Sequence, residues 1–212
     1  MAHIAELIDC FAPVDRRDEW TERAQEIIGY IMFADDGRRI AYMPSDYPSA
    51  RKVMALAIAK VMQPLNVLEW FDAMDAHRAL WGIPDALIGA DVVICHGALA
   101  MVGDSRSRNR ARLMSVCTGE EVAIERQGQA VRVERVLARW VMLGSCETWG
   151  GALARRLVWL RLHGKPVAPM LGMVREIDAV DSLPWIASGW RRYASQGYRF
   201  TGESDEECAV PA

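Results

Sequence analysis

The segment Asp91-Val-Val-Ile-Cys95 constrains the fold more than any other part of the chain. A short apolar run into which no polar residue alternates is the mark of a strand buried on both faces, the usual condition of strands in parallel sheets. Parallel neighbours need crossover connections, so such a strand predicts an α/β layer. Other segments fit beside it. Arg39-Ile-Ala-Tyr-Met43, Asn66-Val-Leu-Glu-Trp-Phe71 and Glu121-Val-Ala-Ile-Glu125 read as strands. Ala50–Met62 reads as a helix with Val53, Leu56, Ala57 and Val61 at helical spacing, opened by Pro48-Ser49 and stopped by Pro64. The alternation predicts a sheet of about four mainly parallel strands flanked by helices.

The flanking regions read as follows. Ile4, Leu7, Ile8 and Phe11 have helical spacing, Pro13 interrupts, and Asp18-Glu19-Trp20 restarts a helix, so residues 1–26 form an N-terminal helical extension. Ile27–Phe33 is a strand candidate, joined to Arg39–Met43 through the turn signal Asp35-Asp36-Gly37 as a hairpin. Asp104–Leu113 opens a helix with alternating arginines. Residues 130–162 read as one long helix, with Val133, Val136, Leu137, Trp140, Val141 and Leu143 on a stripe that Leu153, Leu157, Leu160 and Leu162 resume. So wide a stripe implies a partner, here a second copy of the chain. Gly164–Pro169 is a helix exit and linker, Arg175–Gly197 a further helix, and the end an acidic, disordered tail. The expected units are therefore 1–26, an α/β domain over 27–129, a dimerising helix over 130–163, a linker with a truncated helical region over 164–202, and the tail 203–212.

At 212 residues and 51% hydrophobic, the chain can bury a sizeable core. Without an apolar run of membrane-spanning length, and with acids near Met1 where a signal peptide carries bases, it is expected to be soluble and cytoplasmic, with no membrane contact. The five cysteines form no CxxC pair and are expected to be reduced. Charge is uneven. Residues 1–100 hold 9 bases and 15 acids, whereas residues 101–199 hold 16 bases and 9 acids. A basic half beside an acidic one is the footprint of a face that meets a polyanion.

With these parts in order, the chain resembles the serine recombinases, the resolvases and invertases. Ile40-Ala-Tyr-Met-Pro-Ser45 is similar to the family's first strand, whose serine attacks DNA. Val67–Asp72 is similar to its second strand, and Leu87-Ile-Gly-Ala-Asp-Val-Val-Ile94 to the approach to its third. Gly119–Glu125 resembles the strand that follows, and Ala154–Gly172 the end of the long helix with its basic exit. The resemblance covers residues 38–172. It implies a resolvase-like α/β sheet, a long helix that dimerises and a small helical DNA-binding region. It also implies cofactor-free, metal-free chemistry through a phosphoserine at Ser45, assisted by Arg106.

The pattern departs from the family where the chemistry lies. Met101 and Asp104 stand at the positions of two loop arginines, and Met43 at that of a strand arginine. An alternative register puts Gly29–Ala34 on the first strand and leaves no serine there. The resemblance thus implies a member with impaired catalysis that binds DNA. Backbone contacts fall to Arg108, Arg110, Arg155, Arg156, Arg161, Lys165, Arg175, Arg191 and Arg192, and self-association to residues 130–162. Two other readings stand beside it: a flavodoxin-like oligomeric module without DNA, and a nucleotide-binding enzyme using the loop Gly97–Ser105. Asp35-Asp36 and Asp72 with Asp75 fit solvated turns better than a metal site, and Cys95 and His96 point to opposite faces of a strand.

Overall fold

The chain opens with helices α1 (Ile4–Asp9) and α2 (Arg17–Phe33), followed by β1 (Ile40–Pro44), α3 (Pro48–Val61) and β2 (Val67–Trp70). Then come α4 (Asp85–Ile88), β3 (Val92–His96), β4 (Glu121–Ile124), β5 (Arg132–Arg135), β6 (Arg139–Gly144), β7 (Leu157–Trp159), α5 (Ala168–Glu176) and α6 (Ala179–Ser195). The computed structural model describes residues 4–35, 39–70, 85–96, 115–124, 130–145 and 151–202.

Five strands pair in parallel in the order β2-β3-β6-β1-β7, and β4 and β5 form a separate antiparallel pair. The two-residue period of a strand sorts the sheet's side chains into two cores. Ala41, Met43, Val92, Ile94, Val141, Leu143 and Val158 face a cluster built with α1, α2, α3, α5 and α6. Ile40, Tyr42, Val93, Cys95, Trp140, Met142 and Leu157 face the other, covered by Leu87, Val116, Cys117, Val122, Ile124 and Val136. Chain direction explains the division. The link from β1 to β2 runs across β6 and β3 to the far edge, whereas the later links run back. Right-handed crossovers of opposite direction put their covering elements on opposite faces.

Helices α2 and α6 are the tightest pair. A Cβ on Gly29 would lie 2.5 Å from the Trp190 backbone nitrogen, and one on Gly189 would lie 2.2 Å from the Gln25 carbonyl oxygen. The helices thus meet backbone to backbone. Asp178 caps α6, its Oδ1 accepting from the backbone N–H groups of Val180 (2.8 Å) and Asp181 (3.0 Å). Beyond α6 the chain returns to α2. The fully buried Glu26 carboxylate accepts from the Thr201 backbone N–H and from the Thr201 hydroxyl, both at 2.6 Å.

The mainly parallel α/β sheet agrees with expectation, as do the strands at 40–44, 67–70, 92–96 and 121–124 and the helix at 48–61. Three segments differ. Residues 27–33 form the end of α2 and not a hairpin strand. They are buried around nearly the whole helix, so their apolar run carries no period to tell helix from strand. The described residues of 130–162 contain no long helix. They hold β5, β6, a 3-10 turn at Gly151–Arg156 and β7. β6 is the central strand, covered on both faces, so its continuous apolar residues mimic a broad helical stripe. The stripe expected to meet a second copy is largely this chain's own core, although Val133 and Leu137 are exposed. The helix expected at 175–197 divides into α5 and α6 at Ile177-Asp178. Among the described residues, no helix is long and apolar enough to cross a membrane.

Candidate functional site

β1 and β6 are neighbours, yet one leads to the β2 edge and the other to the β7 edge. In open parallel sheets, ligands bind beyond the carboxyl ends of strands at such a switch point. The candidate site is therefore built where β1 gives way to α3. β1 ends at Pro44 and α3 begins at Pro48, which leaves a connection of Ser45, Asp46 and Tyr47.

Each of these residues is engaged. Ser45 is fully buried. Its backbone N–H donates to the Gly144 carbonyl (3.0 Å), and its hydroxyl oxygen accepts from the Tyr47 N–H (3.2 Å). On the other side the Leu162 N–H donates to the Pro44 carbonyl at 2.9 Å. Asp46 pairs with Arg161 at 3.1 Å across an exposed rim. The Trp20 indole N–H holds the backbone of Arg161, donating to its carbonyl at 2.9 Å. Beneath, the Tyr42 hydroxyl donates to the Ser145 carbonyl at 2.5 Å.

A phosphate cradle at this place has the form G-x-x-x-x-G-K-[ST], in which backbone N–H groups surround the phosphates and the lysine reaches them. Counted from the end of β1, residues 45–52 read Ser-Asp-Tyr-Pro-Ser-Ala-Arg-Lys. Ser45 and Ala50 stand at the glycine positions, Arg51 at the lysine and Lys52 at the hydroxyl. Pro48 contributes no N–H, and Asp46 presents a like charge to a phosphate. Three residues are too few to wrap around a phosphate before the helix starts.

Toward the β2 edge lie Glu69 and His96, with His96 Nε2 at 3.8 Å from Glu69 Oε2. Burial pushes the His96 imidazole below its usual pKa, and the Arg51 charge pushes the same way. Burial pushes Glu69 up. Both shifts work against the charged forms that an ion pair would need. Glu69 Oε2 makes no hydrogen bond among the described residues. Cys95 faces the opposite core, its thiol pushed up to about 12 by burial, and Cys117 is raised by the same cause. Neither is a nucleophile. No cluster of three metal-ligating side chains occurs among the described residues.

The residues singled out in the sequence do not gather here. Ser45 lies at the switch point, but as a buried turn residue. Arg106, Arg108 and Arg110 lie outside the described residues, as do Met101, Asp104, Asp36, Asp72, Asp75 and the loop Gly97–Ser105. Arg155 and Arg156 precede β7, at the opposite end of the sheet from the crevice. Arg161 is tied to Asp46, and Lys165 follows on an exposed turn. Arg175 lies in the last turn of α5, where its carbonyl accepts from the Lys60 ammonium. Arg191 is exposed on α6, while Arg192 lies 3.9 Å from Glu22 and 4.0 Å from Glu26. Sequence reasoning missed Glu69 and His96, which the pairing of β2 with β3 brings together, and the Arg51 charge that acts on His96 from α3. It also missed an aromatic cleft formed by Tyr30, Trp190, Tyr193 and Tyr198. The signal for the cleft was present as the density of aromatic residues between Trp185 and Phe200.

No family profile matches the chain, and no curated protein matches it in sequence. Solved structures do match its fold. The apo NrS-1 C-terminal region aligns with a TM-score of 0.56 and 10% identity, over 97% of this chain and 47% of that one. An A-form structure of that region gives 0.54 and 11%, over 88% and 45%. JCV helicase aligns at 0.46 and 12%, over 91% and 59%. The chain spans about half the length of the NrS-1 structures it matches. The resemblance to serine recombinases is overturned: the matched fold is a different one, and the dimerising helix that the resemblance required is a pair of sheet strands. The flavodoxin-like reading is likewise without support.

Proposed function

We propose that the chain is a helicase/primase-like domain that binds nucleic acid without turning over nucleoside triphosphates. The observation that carries this reading is the connection at the switch point. The fold puts a strand, a loop and a helix where a triphosphate would sit, and residues 45–52 supply neither glycine nor the lysine and hydroxyl in their places. What remains is a scaffold with an uneven charge. Arg155, Lys165, Arg175 and Arg191 are exposed, with no acid at ion-pair distance among the described residues, and they suit contacts to a phosphate backbone.

Two measurements test the two halves. Phosphate release from MgATP should stay at background, with and without DNA; turnover abolished by Arg51→Ala would overturn the claim of silence. Labelled single-stranded and duplex oligonucleotides should bind at about 50 mM salt and weaken steeply by about 200 mM, because the affinity comes from counterion release. Absence of binding to either at the lower salt would overturn the nucleic-acid half.

A further inference from the structure

Tyr30, Ala34, Asp35, Trp190, Tyr193 and Tyr198 line an open cleft of about 350 Å³ between α2 and the end of α6. Its rings lean on one another. Tyr198 lies 5.6 Å from Tyr193 and 6.3 Å from Trp190, centroid to centroid, and Trp190 lies 5.7 Å from Tyr193. At these separations nothing fits between them, so they form a wall and not a cage around a cation. The wall ends in Tyr198, which is 59% exposed and has a φ of +63°. That backbone region disfavours a bulky side chain, and Gly197 just before it (φ +70°) already supplies one left-handed residue. A strained, displayed ring adds little burial, and strain of this kind gathers at ligand sites.

We propose that this cleft seats an unpaired base of single-stranded nucleic acid, stacked on the face of Tyr198. The inference rests on the nucleic-acid reading above and specifies the form recognised. Aromatic faces receive bases of any sequence, whereas a duplex hides its bases in the stack. The surrounding charge suits a strand. Arg191 follows Trp190 on α6 and Arg199 follows Tyr198, both exposed, and the Arg39 guanidinium sits 5.5 Å from the Phe200 ring centre behind the wall. Asp35 is the one acid of the lining among the described residues. A carboxylate repels phosphate but accepts from an exocyclic amine, so cytosine is preferred to thymine.

The test is fluorescence anisotropy with labelled oligo(dC), oligo(dT) and a duplex of matched length, at one salt concentration. Tyr198→Ala should weaken oligo(dC) binding about tenfold and Tyr198→Phe should restore it, with duplex affinity unchanged in both. Tyr198→Gly, which accommodates the left-handed backbone, should lose the same affinity at an unchanged melting temperature. Asp35→Asn should narrow the margin of oligo(dC) over oligo(dT). Unaltered single-strand affinity in Tyr198→Ala would overturn the proposal and leave general nucleic-acid binding standing. An equal loss on single strand and duplex would overturn it too, by assigning Tyr198 a structural role. Binding of tetramethylammonium by the cleft with no response to oligonucleotides would make it a cation site instead. If the wild-type chain binds no oligonucleotide at all, the broader reading falls first.

Discussion

The switch point above β1 and the cleft beside α6 are opposites. The first is where an open parallel sheet ordinarily holds its ligand, and here its described residues are engaged with one another. Ser45 is buried, the Tyr42 hydroxyl is spent on a carbonyl, and Asp46 and Arg161 close the rim. The second lies off the sheet, between two helices, and is left open with a strained ring at its mouth. A fold therefore does not fix where function resides. The sheet supplies a rigid frame, and the side chains decide which of its concavities stays accessible.

The largest expected effect breaks the open side of this comparison. Gly189→Ala places a methyl against the Gln25 backbone, where no rotamer can relieve it, so α2 and α6 must separate. The expected loss is about 2–4 kcal/mol in urea unfolding, the upper range for overpacking. A loss below about 0.5 kcal/mol would show that the helices slide apart freely, a result foreign to interiors packed this densely. Next comes Glu26→Gln. The substitution keeps the shape but removes the charge that accepts two hydrogen bonds from Thr201, and should cost about 1.5–3 kcal/mol. It should also loosen the segment carrying Tyr198, so single-strand affinity should fall with stability.

Much of this fold was legible in the sequence, for a physical reason that also explains the errors. β3 and α3 declare themselves because a two-sided buried strand and a one-sided helix leave different patterns in Val92–Cys95 and in Val53–Val61. Where both kinds of element are buried all round, the patterns merge. Ile27–Phe33 and Trp140–Leu143 are equally apolar, and one is helix while the other is strand. The family resemblance failed in a related way. Its matches were real local solutions, but solutions that many α/β sheets need. Asp91 in Leu87–Ile94 accepts from the Asn66 backbone N–H at 2.8 Å, and the Asn66 amide donates to the Gly89 carbonyl at 2.6 Å, so the motif fastens the starts of β2 and β3 together. Gly164 turns the chain at φ +79°, and Pro169 sits in the first turn of α5, so the supposed exit from a long helix is a strand-to-helix turn. The cleft was hidden because it joins Tyr30 to Tyr198 across more than half the chain, and no local pattern encodes that distance.

A smaller effect sharpens the switch-point side. The His96 pKa is depressed in the folded chain, so the unfolded state binds more protons just below about pH 6.5. That contribution is present above about pH 6.5 and is lost as pH falls toward the depressed folded value. The Glu69 pKa is raised, which gives the opposite sign: its contribution is greatest in acid and declines as pH rises from the usual carboxylate range to the raised value. Urea midpoints measured from pH 4.5 to 7.5 should show His96→Asn flattening the upper part of the profile and Glu69→Gln the lower. His163, depressed by burial and by Arg161, retains a residual slope in His96→Asn. A profile unmoved by either substitution would mean that water reaches both groups.

The smallest expected effect is at the rim. Asp46 and Arg161 look like a latch across the crevice, yet both side chains are more than half exposed. Water and salt screen such a pair, and two long side chains must be held to make it. A double-mutant cycle with Asp46→Ala and Arg161→Ala should therefore return a coupling of about 0.2–1 kcal/mol, shrinking further at high salt. The more telling readout is ligand binding. If the rim alone closed the crevice, Asp46→Ala would let MgATP bind, because it removes the repelling carboxylate and frees an arginine for phosphate. Neither change supplies the missing turn of backbone between Ser45 and Pro48, so calorimetry should still register no MgATP binding. Binding gained by Asp46→Ala would show that charge, and not the length of this connection, silences the switch point.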